Sequence, residues 1–574
     1  MPVDAFRLEN FMAFEDTGWI ELRKINLLLG RNSSGKSAII RALRLMKQSW
    51  LNQKEAKQSL TFRIEGGVDL GSFDTVRHRA PEKNQQQADA SEKQPTQQEV
   101  EDKQWEREQF TLSYRGYLSE AEFKEITRPF FFARAKKGAL TEDFEIWRNE
   151  KWSALQTLLR EFEPDANEQP IFHLAVSYKK HKTSGKSYVW KFDLGICQSL
   201  SASDAALVCG YVVQDEEWDS FVVYEYVNVA PGIPVLLENV FSQDSYYHFL
   251  PELNLLNELP ESENRQSLEL IQQFGQVCLK LITIWLESIV HIGPIRPEPQ
   301  RTYIVTYEFM QKWSVGGWQP FLDYLMGQDS RVSGKVNKWL HTFKLGEVLS
   351  SIPHHTKRIG DFYGVYTLEL DESGRGDIRN LADVGFGASQ IIPVVVQCFA
   401  AKRDALILIE QPELHLHPGA QAHVADMLIE CANEPIPIKS EINPRQRKGT
   451  PTEQEETEPS SRRFIIETHS ETLFLRLRVR LAETSQGKPQ QYQNVPEAFM
   501  CYFIERPRDL ATGGEDATKQ GVGVSRKTDI RFDEFGSYDV SNEILDEFVE
   551  FFGDDDKELD DLLQARRRQK KEDQ

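Results

Sequence analysis

The opening of the chain alternates apolar and polar residues in short stretches, which is the pattern of half-buried strands. Residues 6–11 follow it, residues 19–22 follow it again, and the apolar run Ile25–Leu29 comes next. A polar loop with two glycines then leads into the helix-like residues 38–43. The pattern therefore predicts two short strands, a third apolar strand, a loop and a helix.

Strand-like and helix-like stretches alternate along the rest of the chain, which predicts an α/β fold. Residues 221–227 are aromatic and β-branched, as strand residues are, whereas residues 267–290 have a helical pattern. Residues 82–108 and 435–462 are rich in Gln, Glu, Lys, Pro, Thr and Ser. Because such segments bury too little apolar surface to order themselves, we predict that both are solvated insertions.

The chain is acidic, with 68 Lys and Arg against 89 Asp and Glu among 574 residues and a formal net charge of −21. This balance argues against nucleic-acid binding over the whole surface, although a local basic groove would not show in the sum. A chain of this length is expected to form two or three domains, or a single head with a large insertion.

Cysteine usage and hydropathy favour a cytoplasmic protein. The six cysteines include no C-x-x-C pair, so we expect reduced, buried thiols and neither a disulfide framework nor a zinc site. The first residues lack the basic and then apolar stretch of a signal peptide. No apolar run reaches the ~18–20 residues that cross a bilayer, so we expect no membrane association.

The loop after Ile25–Leu29 reads GRNSSGKS, a G-x4-G-K-S motif. Small residues let successive backbone N–H groups point at phosphate oxygens, and the following helix turns its positive N-terminus toward the anion. We expect Lys36 to reach the β- and γ-phosphates of ATP and Ser37 to ligate Mg²⁺. The predicted nucleotide-binding residues of this loop are Gly30, Asn32, Ser33, Gly35, Lys36 and Ser37.

A second apolar run, residues 405–409, ends in an acid, Glu410. A carboxylate at the carboxyl end of a parallel strand can reach a nucleotide-bound metal, so Glu410 is predicted as a Mg²⁺ ligand. The next residue, Gln411, cannot take a proton at neutral pH. Either Glu413 supplies the general base, or hydrolysis is slow and ATP is a sensed ligand. We favour slow hydrolysis.

His469 follows a third strand-like stretch, residues 463–466, whose last three residues are apolar, in the sequence ETHS. A neutral imidazole beside the γ-phosphate can donate a hydrogen bond to it and so report its presence. We therefore predict that His469 is a switch residue at the nucleotide site.

These motifs together resemble the ABC-type ATPase heads of the RecF, SMC and OLD families. FRLENFMAFED and INLLLGRNSSGKS are similar to the start of those heads, and ETHSE with the arginines after it resembles bacterial ATPases of phage-defence operons, such as the Septu ATPase. The resemblance implies an α/β ABC-type P-loop ATPase head with an inserted α+β domain and a small C-terminal domain. It also implies that His469 matches the switch histidine and that two heads close head to tail.

Gly385, Gly387 and Ser389 stand where those heads carry their signature sequence, just before an apolar helix. In the family this sequence binds the γ-phosphate of ATP held by the opposite subunit. Here Gly385 falls where the serine normally lies, while Ser389 comes later. In the resembling ATPases a G-P-x-R segment precedes the helical subdomain, and residues 293–296 read GPIR here. Arg296 of this segment and Arg301 either contact phosphate or a partner or are solvated charges.

The resemblance divides the chain into an N-terminal lobe of the head (1–80), a disordered insertion (81–108), an inserted domain or short arm (109–290), a C-terminal lobe (291–434), a second disordered insertion (435–462), the switch histidine and its helix (463–495) and a small C-terminal domain with a tail (496–574).

The resemblance also implies a sensor ATPase that dimerises or forms higher oligomers and controls a separate effector, a nuclease, in phage defence. A RecF- or SMC-like DNA-repair ATPase, with DNA contact, is the alternative, and a transport ATPase fits less well. No sustained heptad repeat is visible, so a long SMC-type coiled-coil arm is not expected.

Overall fold

Most of the chain forms ordered elements in the computed structural model. The described residues are 2–53, 58–64, 67–78, 108–134, 141–162, 170–182, 184–215, 221–230, 233–235, 250, 265–310, 318–326, 330–345, 347–355, 362–371, 378–437, 457–458, 460–485, 496–506, 524–533 and 537–538. Within them no helix is long and apolar enough to span a bilayer.

A six-stranded sheet, called here the central sheet, carries the predicted motifs. Its strands are β4 (Ile25–Leu29), β11 (Ile289–Ile292), β16 (Leu406–Glu410), β19 (Arg463–Glu467), β20 (Phe499–Glu505) and β21 (Arg526–Ile530). They lie in the order β11-β16-β19-β4-β20-β21, with β21 alone antiparallel to its neighbour. The carboxyl ends of β16, β19 and β4 therefore meet at one edge.

The central sheet is buried on both faces, as parallel sheets are. In β4, Leu28 packs into one hydrophobic core, whereas Ile25, Leu27 and Leu29 pack into the core on the opposite face. β16 divides its side chains between the same two cores in the same alternating way. The nearly continuous apolar runs of the sequence follow from this double burial.

A second, antiparallel sheet joins the start of the chain to the segment predicted as an inserted domain. Its strands are β1 (Ala5–Phe11), β2 (Phe14–Asp16), β3 (Ile20–Glu21), β5 (Gln109–Tyr117), β6 (Ile171–Lys180), β7 (Ser187–Cys197), β8 (Ala206–Asp215), β9 (Phe221–Ala230) and β10 (Ile233–Val235). β1 pairs with β5, so residues of 109–290 continue the sheet of the N-terminal lobe. Phe6, Tyr114 and Trp285 share one core across the predicted boundary. The domain boundaries themselves stay predictions.

Smaller sheets and the helices complete the described fold. The remaining strands are β12 (Tyr303–Thr306), β13 (Glu347–His355), β14 (Phe362–Asp371), β15 (Ile378–Asn380), β17 (Ile436–Pro437) and β18 (Thr457–Glu458). The described α-helices include Lys36–Asn52, Phe73–Val76, Glu120–Arg134, Thr141–Phe162, Arg265–Ser288, Gln319–Leu325, Ser330–Phe343, Phe386–Ala400, Pro418–Asn433 and Glu471–Ser485. The helix Lys36–Asn52 packs against β11, β19 and the helix Arg265–Ser288.

Several predicted segments fall wholly or mostly outside the described residues. They are nearly all of the insertion 81–108, residues 438–456 of the second insertion, and the C-terminal tail from residue 539. At the edge of the second insertion, β17 pairs with β18 in an antiparallel ladder.

Candidate functional site

The glycine loop joins β4 to the helix Lys36–Asn52, as the sequence predicts. Gly30 has a φ of 135°, and a Cβ added there would lie 2.0 Å from the carbonyl oxygen of Ile504 on the neighbouring strand β20. Gly35 has a φ of 114° at the start of the helix. Only glycine adopts these backbone conformations readily, so the two glycines fix the path of the loop.

Lys36 lies almost entirely inside the loop, with 3% of its side chain area exposed. Its Nζ donates hydrogen bonds to the carbonyl oxygens of Gly30 at 2.8 Å and Arg31 at 2.6 Å. Burial lowers the pKa of the Lys36 amine to about 8, although the nearby Glu467 carboxylate opposes that shift. The cation is therefore held in the concave side of the loop, where phosphate oxygens would lie.

A cleft of about 860 Å³ opens over this loop. Its walls are the loop and first helical turn, Met12 and Ala13 after β1, residues 74, 75, 77 and 78, and four residues at or just beyond strand ends of the central sheet, Gln411, Glu467, His469 and Arg506. This volume lies within the roughly 300–1,000 Å³ range of cofactor pockets. Segments that are far apart in the sequence therefore form one pocket beside the predicted phosphate loop.

Glu467 contacts Ser37, a pairing that the sequence analysis did not anticipate. The Ser37 hydroxyl lies 2.9 Å from each carboxylate oxygen of Glu467 and donates to them. The contact arises because β19, which ends at Glu467, lies directly beside β4. Burial and the like charge of Glu410 raise the pKa of Glu467, and the Ser37 hydrogen bond opposes them. The available signal was its place at a strand end, two residues before His469.

Glu410 ends β16, one strand farther from the glycine loop than Glu467, with which it is paired in register. Its Oε1 lies 2.6 Å from Nε2 of His291 on β11. Burial tends to raise the pKa of Glu410, but His291 and two nearby arginines outweigh burial and lower it. Ser37 thus pairs with Glu467, whereas Glu410 pairs with His291. Its role as a metal ligand stays a prediction.

Gln411 lines the cleft, whereas Glu413 is buried and does not line it. Glu413 is 7% exposed, and its Oε1 accepts hydrogen bonds from the Thr468 hydroxyl at 2.7 Å and the His469 backbone N–H at 3.1 Å. Burial raises the pKa of Glu413. The carboxylate therefore fixes the backbone that carries His469, and it is not among the residues that line the cleft.

Arg296 is buried and bound to backbone carbonyls, so neither alternative predicted for it, a phosphate or partner contact or a solvated charge, is correct. It is 2% exposed, and its guanidinium donates to the backbone carbonyls of Pro294, Glu410 and Gln411 at 2.8–3.0 Å. Gln411 has a positive φ of 49°, so Arg296 secures a strained turn at the edge of the cleft. Arg301 is exposed and forms an ion pair with Asp383.

His469 lines the cleft near Lys36. Burial and the positive charge of Lys36 both lower the pKa of the His469 imidazole, so the ring is neutral at physiological pH. A neutral ring has one N–H to donate to a phosphate oxygen. Its position agrees with the predicted switch, and the switching itself stays a prediction.

The signature candidates lie at the start of the helix Phe386–Ala400, away from the described lining of the cleft. Gly385 is exposed and Gly387 is half-buried, so their backbone groups are accessible. Ser389 differs from the prediction, because it is 3% exposed and its hydroxyl donates to the Phe386 carbonyl within the helix. This side chain is used inside its own helix and is not presented to a ligand.

Comparison with protein families finds two matches that together include most of these motifs. Residues 1–194 match a family described as "AAA ATPase domain", and residues 286–476 match one described as "AAA domain, putative AbiEii toxin, Type IV TA system". Over both segments the chain is similar to AAA ATPase domains. Each segment is shorter than half of the chain. A comparison with curated protein sequences found no match.

Solved structures of SMC heads also align with the chain. An SMC head bound to the C-terminal winged-helix domain of ScpA is 11% identical, with a TM-score of 0.37 and coverage of 92% of this chain and 98% of that chain. The Pyrococcus furiosus SMC head with an extended coiled coil, bound to the C-terminal domain of ScpA, is 10% identical with a TM-score of 0.36, and the alignment covers 96% of this chain and 99% of that chain. The Thermotoga maritima SMC head is 10% identical with a TM-score of 0.30, and the alignment covers 92% of this chain and 98% of that chain.

Proposed function

We propose that this protein binds ATP with Mg²⁺ in the cleft above the glycine loop and hydrolyses it slowly. The observation that carries the proposal is the convergence of Lys36, Ser37, Glu467 and His469 on one pocket from two segments that are distant in sequence. Oxygen donors from a hydroxyl and carboxylates are the ligands that Mg²⁺ prefers, so the residues present fit the metal. When bound, Mg²⁺ would neutralise charge on the phosphates.

Slow turnover follows from the residue types at the cleft. Gln411 lines it where related heads place a base, and an amide cannot take a proton from water. Glu413 is hydrogen-bonded to Thr468 and to the backbone of His469 instead of facing the pocket. ATP would then persist long enough to act as a sensed ligand.

We further propose that ATP drives formation of dimers or higher oligomers, and that this assembly controls a separate effector protein, a nuclease of bacterial phage defence, in the cytoplasm. The resemblance to phage-defence ATPases supports this step. The accessible backbone at Gly385 and Gly387 supports head-to-tail pairing, because the N-terminus of the helix Phe386–Ala400 is free to meet an anion.

The proposal is tested with purified wild-type protein and the Lys36→Ala variant. Phosphate release measures turnover, and light scattering after gel filtration with ATP, ADP or no nucleotide measures oligomer mass. We expect slow, Lys36-dependent hydrolysis and a larger mass with ATP alone. Absence of nucleotide binding in the wild type would refute the proposal.

The effector and DNA hypotheses are separated by a second measurement. The tagged protein is purified from cells that express its neighbouring genes, and DNA retention is measured across a salt series. Co-purification of a nuclease that is lost in Lys36→Ala supports effector control. ATP-dependent, steeply salt-sensitive DNA retention without a protein partner would favour a repair ATPase.

A further inference from the structure

The two acids at the carboxyl ends of β16 and β19 have different partners. Glu467 accepts from the Ser37 hydroxyl through both carboxylate oxygens at 2.9 Å. Glu410, its register partner on the next strand, contacts His291 at 2.6 Å. The residue expected from the motif to meet the metal is therefore held toward β11, and a different acid stands beside the serine of the glycine loop.

The distances decide which acid can share a cation with Ser37. Mg²⁺ binds oxygen ligands at about 2.0–2.1 Å, so two oxygens that ligate the same ion lie roughly 3 Å apart. The Ser37 hydroxyl and each Glu467 oxygen already have this spacing. A cation inserted between them requires only that the hydroxyl proton turn away. In Glu410, by contrast, Oε1 is already engaged by His291.

The positions of the neighbouring charges agree with this assignment. Glu467 lies in the cleft with Lys36 and Arg41, whose positive charges face the same space. No group of three or more His, Cys, Asp or Glu side chains in the described part of the chain is arranged to hold a metal alone. A cation at Ser37 and Glu467 would therefore need oxygens from the nucleotide phosphates or water to complete its shell.

We propose that Glu467 is the carboxylate that receives the nucleotide-bound divalent cation beside Ser37, and that His291 holds Glu410 out of the metal's inner shell. This inference rests on the proposed function, because the phosphates supply the remaining ligands. The metal-binding carboxylate is then at the end of β19, one strand away from the end of β16, where the motif predicts it.

The test compares two matched variants, Glu467→Gln and Glu410→Gln. Each replaces the carboxylate at the end of one of two adjacent strands with an amide. Mn²⁺, a spectroscopic substitute for Mg²⁺, is titrated by electron paramagnetic resonance in the presence of a non-hydrolysable ATP analogue. We expect Glu467→Gln to weaken Mn²⁺ binding by about 10–100-fold. We expect Glu410→Gln to weaken it less than Glu467→Gln does. Thermal unfolding confirms that both variants are folded.

Equal affinities in Glu467→Gln and wild type, or a larger loss in Glu410→Gln, would overturn the inference. If Glu467→Gln does not fold, Glu467→Asp replaces it, and an unchanged Mn²⁺ affinity in that shortened carboxylate would also overturn it. Binding of a fluorescent ATP analogue without metal is measured in parallel. Wild-type protein that binds no nucleotide refutes the proposed function, whereas nucleotide binding with metal affinity insensitive to Glu467 refutes only the metal assignment.

Discussion

Substitution of Glu413 separates two roles, the general base that the sequence allows and the hydrogen-bond acceptor that the structure shows. In the structure its Oε1 accepts from the Thr468 hydroxyl and the His469 N–H. Glu413→Ala removes the acceptor from both donors. A buried donor left without a partner costs about 1–3 kcal/mol, so for the two donors we expect a loss of about 2–6 kcal/mol in the free energy of unfolding.

Glu413→Gln keeps an oxygen at the position of Oε1 and places an amide nitrogen where Oε2 has no hydrogen-bond partner within the described residues. We expect its free energy of unfolding at pH 7 to lie within about 1 kcal/mol of the wild type or above it. The direction follows from the raised pKa of Glu413, since burial disfavours its charged form.

The pH dependence gives the same prediction a second readout. A raised pKa means that folded protein holds this proton at pH values where unfolded protein has released it. The contribution of Glu413 to the free energy of unfolding is therefore fully present below the ordinary pKa of glutamate. It is lost as the pH rises through the pKa of Glu413 in the folded protein. Urea unfolding across this range should show the stability of Glu413→Gln gaining on that of the wild type as pH increases.

The assay that decides between the two roles is phosphate release by Glu413→Gln. If Glu413 only positions His469, this variant keeps at least half of the wild-type rate, whereas Glu413→Ala loses most of it. A Glu413→Gln protein that unfolds at the same urea concentration as the wild type but turns over 100-fold more slowly would refute the reasoning. Glu413 would then be the general base.

Three further predictions follow from individual side chains. Because burial lowers the pKa of Lys36 to about 8, affinity for a fluorescent ATP analogue should fall as pH rises through 8, by up to about tenfold per pH unit, and Lys36→Ala should show no such pH dependence. Arg462 is fully buried and donates to backbone carbonyls of residues 399, 401 and 402, so Arg462→Met should lower the free energy of unfolding by about 3–5 kcal/mol. The exposed Arg301→Met is its control and should cost less than about 1 kcal/mol. Gly30→Ala places a Cβ against Ile504 and should cost more than about 3 kcal/mol in thermal unfolding, whereas Gly18→Ala, with a φ of 60° and open space, should cost about 1–2 kcal/mol.

The sequence predicts the elements of the site well, because each depends on local chemistry. The run Ile25–Leu29, the glycine loop and the helix after it are all present as expected. The mixed α/β fold is confirmed as well. A glycine at a position of positive φ and an apolar run that is buried on both faces can each be recognised from the local sequence, without knowledge of any distant contact.

Contacts between distant strands could not be predicted in this way. Ser37 and Glu467 are separated by 430 residues, and their contact depends on β19 lying between β4 and β16. Nothing in the run of residues 463–467 specifies that neighbour. The same limit applies to the pairing of β5 with β1, which becomes visible only when the sheet is assembled.

The strand ends around the cleft are held by contacts that do not require a ligand. Gln411 and His415 both have positive φ, at 49° and 65°, and such residues cost roughly 1–3 kcal/mol each. Arg296 secures the first of these turns through the carbonyls of Glu410 and Gln411, and the Gln411 N–H donates to the Glu467 carbonyl at 2.7 Å. Because these bonds fix the backbone of β16 against that of β19, the acids at both strand ends are positioned before nucleotide arrives. A site organised in this way loses little conformational entropy on binding, which would strengthen the binding of the ATP that we propose it holds.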